Sequence, residues 1–504
     1  MSAGAFVEGA VSGLPLEEAD FVIVGSGAGG GAAARVLAAS GARVVVLEEG
    51  PRLDPKTLGV SEGASRNRLF RNQGKQAAFG RATTPILQGR CVGGTTFVNS
   101  AIVWRLPAKI LERWHDEFGL ADGLPARALD EAAARVEEEL SVRPVVEGVT
   151  ASQSDLLLRK GSQAAGIEGR LIHRYEKGCR GSGRCFHGCP HEAKQSTAVT
   201  SLRRAVGDGG FVVAGARVER VERRGGRAVA VHGFFSGDGP EHGQRFRLAA
   251  KKAIVVCGGA IQSSNLLWRS GVRSAHLGRH FMAHPGTAVM GLYPERVDAW
   301  TGASQGYEAF GLRDTLGVKF ESINVPPEVT GARLPGAGAR FAARLTELPY
   351  VANWAVALKA EAEGRVRPSL LFGDYVRYDL TRGDLERLRQ GMRKLAEMHF
   401  DAGAREVITG VAGLPESLRS RDEVSVFDDA PLDPRGYNLV MTHLFGGCRA
   451  GRDAATSVVD PTLKVHGVDG FYVMDASVFP TNTGVNPQHS IMSIAGVAAA
   501  RLAG

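Results

Sequence analysis

The sequence predicts a fold of the α/β class with more than one domain, and three observations support this prediction. The chain has 504 residues, more than a single hydrophobic core normally organises. The composition, 44% hydrophobic and 23% charged, is that of a globular protein. Near the N-terminus, two β-branched runs, residues 21–24 and 44–47, flank a glycine-rich turn and an alanine-rich segment, residues 32–40. This series of strand, turn, helix and strand is typical of a parallel sheet covered by helices.

The glycine-rich turn predicts a dinucleotide site. Gly25, Gly27 and Gly30 have G-x-G-x-x-G spacing. The first glycine permits the turn, the second lets the backbone approach a pyrophosphate, and the third lets the helix pack on the strand. Free N–H groups at the helix start and the positive end of its dipole would bind the phosphates. Glu48, after the second run, is placed to accept hydrogen bonds from ribose hydroxyls, which disfavours NADP. This unit alone does not separate FAD from NAD.

The charge pattern excludes some partners. The net charge is +8 and the sequence pI about 9.3, from arginines spread along the chain. No dense Lys/Arg block with interleaved aromatic residues occurs, which argues against a nucleic-acid surface, although a basic face could dock an acidic electron-transfer partner. Residues 1–20 lack the pattern of a signal peptide, and no run approaches the roughly 18 apolar residues of a membrane span. We therefore expect a cytoplasmic protein without a membrane span.

Four further segments resemble the glucose–methanol–choline (GMC) oxidoreductase family. Residues 89–99 are similar to the family's G-R-x-x-G-G-[ST]-[ST]-x-x-N segment. Residues 258–271 are similar to its second signature, and residues 277–285 follow in the usual order. The remaining two segments are residues 443–449 and residues 471–487. Their order and spacing match the family at both ends of the chain.

This resemblance implies FAD as the cofactor and a Rossmann-like FAD-binding domain. The backbone of residues 93–99 would lie along the flavin. The start of the last helix, residues 491–502, would present its positive dipole to the pyrimidine end of a reduced flavin. The residues assigned to cofactor binding are Gly25, Gly27, Ala28, Gly30, Glu48, Gly93, Gly94, Thr95, Asn99, Val218, Asp475, Asn486 and Pro487.

The resemblance also implies a catalytic pair. His443 would be the base for the hydroxyl proton of an alcohol, and Asn486 the second polar group at the reacting oxygen. Many relatives have His at the second position. The Asn found here, as in cholesterol oxidases, keeps a hydrogen bond but removes a titratable group.

Three other histidines are weaker candidates. His489 could border the substrate pocket, since it follows Asn486 by three residues. His280 and His284 are four residues apart, like zinc ligands on a helix. However, no Glu follows His280 directly, and Pro285 would disturb a helix. We therefore expect His280 and His284 to be structural.

Three cysteines, Cys179, Cys185 and Cys189, fall within eleven residues. The segment resembles two GMC subgroups. In long-chain alcohol oxidases a similar segment precedes a Lys-Gln-x-Thr run, here residues 194–197, and in bacterial sugar dehydrogenases a similar segment carries a three-iron cluster. Three thiolates can hold an iron–sulfur cluster, although no fourth ligand is evident. We therefore predict no metal as the first choice, and keep the three cysteines as candidate iron–sulfur ligands.

The motifs imply a domain division. The FAD-binding domain would comprise residues 18–110, 195–290 and 435–504. A discontinuous substrate-binding domain, built on an antiparallel sheet and including the cysteine segment 178–190, would comprise residues 111–194 and 291–434. The overall class is thus α/β, with α+β character contributed by the second domain.

The second domain shows one clear helix signal. Thr381 and Asp384 have the spacing of a capping box. Residues 331–344, rich in Gly, Ala and Arg, are interpreted as a loop. The apolar residues at helical spacing after the capping box are Leu385, Leu388, Met392, Leu395 and Met398.

Together these features predict an FAD-dependent alcohol oxidase or dehydrogenase that forms an aldehyde or ketone while hydride passes to flavin N5. The pairing of the cysteine segment with Lys194 and Gln195 favours hydrophobic primary alcohols, with oxygen or a redox partner as acceptor. One alternative is a dehydrogenase of sugar or sugar-like alcohols whose iron–sulfur cluster passes electrons to a partner. A second is a GMC-fold lyase acting on fatty acids, and a third is a flavin-binding protein without catalysis.

Overall fold

The computed structural model describes residues 4–8, 17–58, 61–237, 241–371 and 373–504. None of the helices in these ranges combines the length and apolarity needed to cross a membrane. The helices are α1 (Ala28–Ala39), α2 (Glu62–Leu69), α3 (Ala108–Phe118), α4 (Ala126–Glu139), α5 (Gln153–Ala164), α6 (Ser201–Gly207), α7 (Gly259–Arg269), α8 (Pro327–Gly331), α9 (Gly338–Leu345), α10 (Arg382–Asp401) and α11 (Gln488–Ala503). The strands are β1 (Ala5–Glu8), β2 (Glu18–Val24), β3 (Val44–Glu48), β4 (Ala77–Phe79), β5 (Thr84–Pro85), β6 (Val142–Pro144), β7 (Gly169–Leu171), β8 (His173–Tyr175), β9 (Phe211–Ala214), β10 (Ala216–Arg224), β11 (Arg227–Phe235), β12 (Arg245–Val256), β13 (Arg279–Leu292), β14 (Tyr307–Ala309), β15 (Val318–Ser322), β16 (Val351–Leu358), β17 (Gly364–Ser369), β18 (Gly373–Arg377), β19 (Glu406–Ile408), β20 (Ser417–Leu418), β21 (Val440–Phe445) and β22 (Phe471–Val473).

The first sheet has the strand order β1-β9-β3-β2-β12-β11-β10, with β22 beside β12. Strands β2, β3, β9 and β12 run parallel, while β10, β11 and β12 form an antiparallel meander. Val22, Ile23, Val45 and Val46, on β2 and β3, are at most 1% exposed, as expected for strands covered on both faces. The predicted series of strand, turn, helix and strand is confirmed, with α1 as its helix.

The second sheet is larger and mainly antiparallel, with the central order β13-β16-β15-β14-β7. Helix α10 packs against it and begins at the predicted capping box. The Oγ1 of Thr381 accepts a hydrogen bond from the N of Asp384 at 3.0 Å, and the Asp384 carboxylate accepts one from the N of Thr381 at 3.1 Å. The fold class predicted from the sequence, including the antiparallel sheet, is therefore confirmed. The buried residues of α10 include Leu385, Leu388, Met392, Leu395 and Met398.

One strand pairing of the second sheet builds the site described below. Strand β21, from the C-terminal part of the chain, pairs antiparallel with β13. The register places His284 on β13 opposite His443 on β21. Directly opposed residues of an antiparallel pair project to the same face of the sheet, so the pairing brings the two imidazole rings together.

The sheets divide the chain differently from the predicted domains at several strands. Strands β4, β5, β13 and β21 lie wholly or mostly in segments assigned to the FAD-binding domain, yet they pair in the second sheet. Helices α3 and α4, from a segment assigned to the substrate-binding domain, pack in the first core through Trp114 and Leu129. The reason is that β13 and β21 are long-range partners, which local motifs do not reveal. The domain boundaries themselves stay a prediction.

Candidate active site

The glycine turn between β2 and α1 has the backbone geometry that a bound dinucleotide needs. Gly25 has a φ of +102°, and a Cβ here would lie 2.4 Å from the carbonyl oxygen of Cys257. A Cβ on Gly30 would lie 1.9 Å from the carbonyl oxygen of Gly25, so this glycine lets α1 pack on the turn. A Cβ on Gly27 would meet no atom within 4 Å, because this face opens into a cavity. The geometry at each glycine therefore suits the role predicted for it.

Glu48, the last residue of β3, faces the same turn. Its Oε2 accepts hydrogen bonds from the N of Ser26 at 3.1 Å and the Oγ of Ser26 at 2.6 Å, and its Oε1 accepts one from the N of Gly50 at 2.9 Å. Burial raises the pKa of Glu48, and these hydrogen bonds oppose the rise. Since a carboxylate oxygen has two lone-pair sites, Oε1 can accept a further hydrogen bond, such as one from a ribose hydroxyl.

Residues 93–99 lie against the turn and connect it to the C-terminal helix. The N of Gly93 donates to the Oγ of Ser26 at 2.9 Å. At the other end, the Nδ2 of Asn99 donates to the Oε1 of Gln488 at 2.6 Å, in the first turn of α11. This path suits a segment whose backbone follows a bound flavin.

Asp475 follows β22 and is fixed by three donors. Its carboxylate accepts hydrogen bonds from the N of Gly259 at 2.8 Å, the Oγ of Ser263 at 2.5 Å and the N of Ser477 at 2.8 Å. Burial raises the pKa of Asp475, while these bonds oppose the rise. The network holds Asp475 beside the start of α7.

One cavity of about 450 Å³ joins these elements. Gly30 and Gly93 are not on its wall, since Gly30 packs on the turn and Gly93 bonds to a serine. His489 is also off the wall, and its Nδ1 lies 2.8 Å from the Oη of Tyr175. The residues present fit FAD, because the phosphate turn and His443 line the same cavity. The predicted site residues on the wall are Gly25, Gly27, Ala28, Glu48, Gly94, Thr95, Asn99, Val218, His443, Asp475, Asn486 and Pro487.

His443 lies on β21 and contacts two polar side chains. Its Nε2 is 3.3 Å from the Nδ2 of Asn486, and its Nδ1 is 3.2 Å from the Nδ1 of His284. The structure thus brings the predicted pair together. It also adds His284, for which the sequence indicated only a structural role. The register of β13 and β21 is what identifies His284 as a partner of His443. Such a long-range register cannot be read from a local motif.

The hydrogen-bond partners determine which ring nitrogens carry protons. The Nδ2 of Asn482 donates to the carbonyl oxygens of Ala283 and Ala360, both at 3.1 Å. The Oδ1 of Asn482 is therefore the atom that accepts from the Nε2 of His284. With its proton on Nε2, a neutral His284 has a lone pair on Nδ1. The Nδ1 of His443 must then donate to it, which leaves the lone pair of His443 on Nε2.

A buried lysine orients Asn486 in agreement with this tautomer. The Nζ of Lys319 lies 2.6 Å from the Oδ1 of Asn486. An ammonium group only donates, so Oδ1 accepts and the amide Nδ2 faces His443. Lys319 is itself held by Glu308 at 2.9 Å and Glu321 at 2.6 Å, and these three side chains are buried. Two independent hydrogen-bond chains thus place a lone pair on the Nε2 of His443.

The electrostatic environment keeps both histidines neutral. Burial lowers the pKa of His443 to about 4, an effect that Glu321 opposes and Lys319 reinforces. Burial and the neighbouring His443 also lower the pKa of His284 well below its ordinary value. At neutral pH the site therefore offers an unprotonated imidazole nitrogen at the cavity wall. Such a group can act as a base toward a hydroxyl proton.

The cysteine segment, residues 178–190, lies close to residues 93–99. The Sγ of Cys185 accepts a hydrogen bond from the Nη2 of Arg174 at 2.9 Å. The Nζ of Lys194 donates to the carbonyl oxygens of Cys185 at 2.6 Å and Asn99 at 2.9 Å, which ties the two segments together. Across the part of the chain that the structure describes, no group of three or more His, Cys, Asp or Glu could hold a metal ion. The iron–sulfur alternative at Cys179, Cys185 and Cys189 stays a prediction.

Comparison with known proteins agrees with this architecture. The N-terminal GMC oxidoreductase profile matches residues 20–286, and the C-terminal profile matches residues 361–495. An uncharacterized GMC-type oxidoreductase of Mycobacterium tuberculosis is 37% identical, over 95% of this chain and 74% of its own length. Another from Sinorhizobium fredii is 32% identical, over 95% of this chain and 93% of its own. A long-chain-alcohol oxidase of Arabidopsis thaliana is 27% identical, over 95% of this chain and 66% of its own.

Solved structures show the same fold. Pyridoxine 4-oxidase from Mesorbium loti superposes with a TM-score of 0.70 at 19% identity, over 96% of this chain and 99% of its own. Formate oxidase superposes with a TM-score of 0.73 at 15% identity, over 100% of this chain and 99% of its own. The fold and the site define a flavin-dependent oxidoreductase. The chain belongs to the GMC oxidoreductase family, binds FAD and acts on CH–OH donors.

Proposed function

We propose that this protein oxidises a primary alcohol with a hydrophobic chain to the aldehyde, and that His443 takes the hydroxyl proton. The observation that carries the proposal is the lone pair on the Nε2 of His443, fixed by its partners and located at the cavity wall. A base must lie within hydrogen-bond reach of the proton that it removes. The place of His443 on the cavity wall supports this role.

The polar atoms of the site orient the alcohol. The 3.3 Å separation of the Nδ2 of Asn486 and the Nε2 of His443 is long for a hydrogen bond, so a hydroxyl oxygen can replace this contact. The oxygen then accepts from Asn486 and donates its proton to His443. As the imidazole becomes positive, the carboxylate of Glu321, which favours the charged ring, stabilises it. Bound FAD supplies the acceptor for the hydride that leaves the alcohol carbon.

The apolar part of the cavity wall favours an alkyl chain. Ile102, Phe186, Ile323, Val325 and Val329 line it. Burying an alkyl chain against such side chains is favourable by roughly 25 cal/mol per Å² of apolar surface. The likeness to a long-chain-alcohol oxidase supports the same substrate class. We propose oxygen or a redox partner as the final electron acceptor.

The test is a panel of primary alcohols, sugars and fatty acids, assayed with oxygen and with an artificial acceptor. We expect aldehyde formation from the hydrophobic alcohols. In His443→Gln, kcat/KM should fall by about 10²–10⁴-fold, since this is the usual contribution of a general base. The matched control is His115→Gln on α3, outside the cavity, where the histidine Nε2 contacts the carbonyl oxygen of Leu124 at 2.8 Å. This variant should retain full activity.

Two outcomes contradict the proposal. Alcohol oxidation by His443→Gln at the rate of the unchanged protein would exclude His443 as the base. Carbon dioxide release from fatty acids, without any alcohol oxidation, would favour the lyase alternative.

A further inference from the structure

Arg333, at the wall of the cavity, is a cation without a counter-charge among the described residues. It follows α8, is only partly exposed, and lines the cavity. Its guanidinium forms no hydrogen bond or ion pair with any residue in the ranges that the structure describes. Burial lowers the pKa of Arg333, and the nearby positive charge of Arg66 lowers it further. A charge that is partly removed from water and left unpaired is costly, so this position favours an anionic ligand.

The neighbouring acidic groups do not neutralise Arg333. Glu62, on α2, pairs with Arg66 and also contacts His187. Glu328 is exposed and accepts a hydrogen bond from the N of Glu62 at 3.3 Å. The Glu62 carboxylate on the cavity wall is thus paired with Arg66. One positive charge, that of Arg333, remains available to the cavity.

The cavity lining that precedes Arg333 in the chain is apolar. Strand β15 carries Lys319 and Glu321, which lie beside the catalytic pair. Beyond this strand the cavity lining continues with Ile323, Val325, Pro326 and Val329 before it reaches Arg333. Since His443, these apolar residues and Arg333 line one cavity, an elongated ligand can contact both the base and the cation.

The geometry points to an acid-binding subsite: we infer that the preferred substrate is an ω-hydroxy carboxylic acid, an alcohol whose hydrophobic chain ends in a carboxylate bound by Arg333. A guanidinium suits this role because its parallel N–H groups match the two oxygens of a carboxylate. The inference rests on the proposed alcohol oxidation and specifies its substrate class.

The test compares two homologous series, ω-hydroxy acids and 1-alkanols of matched chain length. For the unchanged holoenzyme we expect kcat/KM to be at least about tenfold higher for the acid at the best chain length, as for a charged hydrogen bond. Arg333→Met should lose this preference while keeping its activity on the alkanols, and Arg333→Lys should retain part of it. The matched control is Arg68→Met, which removes an exposed arginine of α2 outside the cavity wall and should change neither series.

A binding measurement separates this inference from the proposed function. Calorimetric titration of the holoenzyme with an alkanoate, which has no hydroxyl to oxidise, should show binding that Arg333→Met weakens by about tenfold or more. Equal alkanoate affinity in Arg333→Met and the unchanged protein, or an unchanged ratio between the two series, would overturn the subsite. Failure of the unchanged enzyme to oxidise either series would instead overturn the proposed function, whatever the titration shows.

Discussion

Asn486→Asp tests the assigned tautomer of His443 with the smallest possible change. The substitution replaces the amide NH₂ by an oxygen of nearly the same size. Lys319, 2.6 Å from the Oδ1 of Asn486, would keep the new carboxylate ionised. The Nε2 of His443 would then face an acceptor at about the present 3.3 Å instead of a donor. It would have to carry a proton, and so could no longer accept one.

The magnitude follows from the same distances. A unit charge 3.3 Å from the ring corresponds to roughly 5 kcal/mol at an effective dielectric constant of about 20. Lys319 offsets part of this, so we expect the pKa of His443 to rise by about 1–3 units from its value of about 4. Since this rise leaves the ring largely neutral at pH 7, the loss of activity comes from the position of the ring proton. The carboxylate holds that proton on Nε2, and the lost lone pair should lower kcat/KM by about 10²–10⁴-fold.

The assay is alcohol oxidation by Asn486→Asp and by Asn486→Ala at neutral pH. Alanine removes the donor but leaves the Nε2 of His443 free to accept a proton. We therefore expect Asn486→Ala to be the more active variant, and thermal unfolding and flavin content should show both to be folded. If Asn486→Asp equals or exceeds Asn486→Ala in kcat/KM, the assigned tautomer is refuted.

Three further predictions concern the turn, the base and a helix start. Gly30→Ala, whose Cβ would lie 1.9 Å from the carbonyl oxygen of Gly25, should lower the apoprotein's unfolding free energy by about 1–3 kcal/mol. Gly27→Ala should leave it unchanged but reduce FAD content, and equal thermal unfolding of the two apoproteins would contradict this contrast. The active form of His443 is the neutral one, and its pKa is about 4. Therefore kcat/KM should stay level from neutral pH down to about 5 and fall only as pH drops through about 4. A fall centred near 6.5 would instead indicate a histidine with an unperturbed pKa. Thr381→Ala should cost about 0.5–2 kcal/mol in urea unfolding, with kcat unchanged, because it removes the α10 cap.

The parts of the fold that the sequence predicts are those set by neighbouring residues. The phosphate turn is one such part, because Gly30 packs on Gly25 within one strand, turn and helix unit. The start of α10 is another, because Thr381 and Asp384 satisfy each other's backbone within one helical turn. Such signals do not depend on how the sheets assemble.

The supporting groups of the base could not be predicted in this way. His284 contacts His443 only through the register of β13 and β21, which are far apart in sequence. Lys319 lies in an alternating strand, where a lysine ordinarily faces water. Its burial is tolerated because Glu308 and Glu321 compensate its charge. The spacing of the sequence motifs does not indicate that His284 and Lys319 support His443.

The high content of Gly, Ala and Arg in residues 331–344 led to the expectation of a loop. This expectation is wrong for the second half of the segment, since α9 spans Gly338–Leu345. Alanine and arginine are among the better helix formers, and in α9 they outweigh the single glycine at its start. Arg333 lies between α8 and α9, so its position on the cavity wall depends on this local structure.

The most direct test of the account is anaerobic reduction of the bound flavin by a primary alcohol in a single turnover. The reduction is measured as the loss of oxidised-flavin absorbance. The central claim is that His443 takes the hydroxyl proton during this step. The account predicts rapid bleaching in the unchanged holoenzyme at neutral pH. It also predicts bleaching slower by about 10²–10⁴-fold in His443→Gln with equal flavin content. Bleaching at the same rate in both proteins would contradict it.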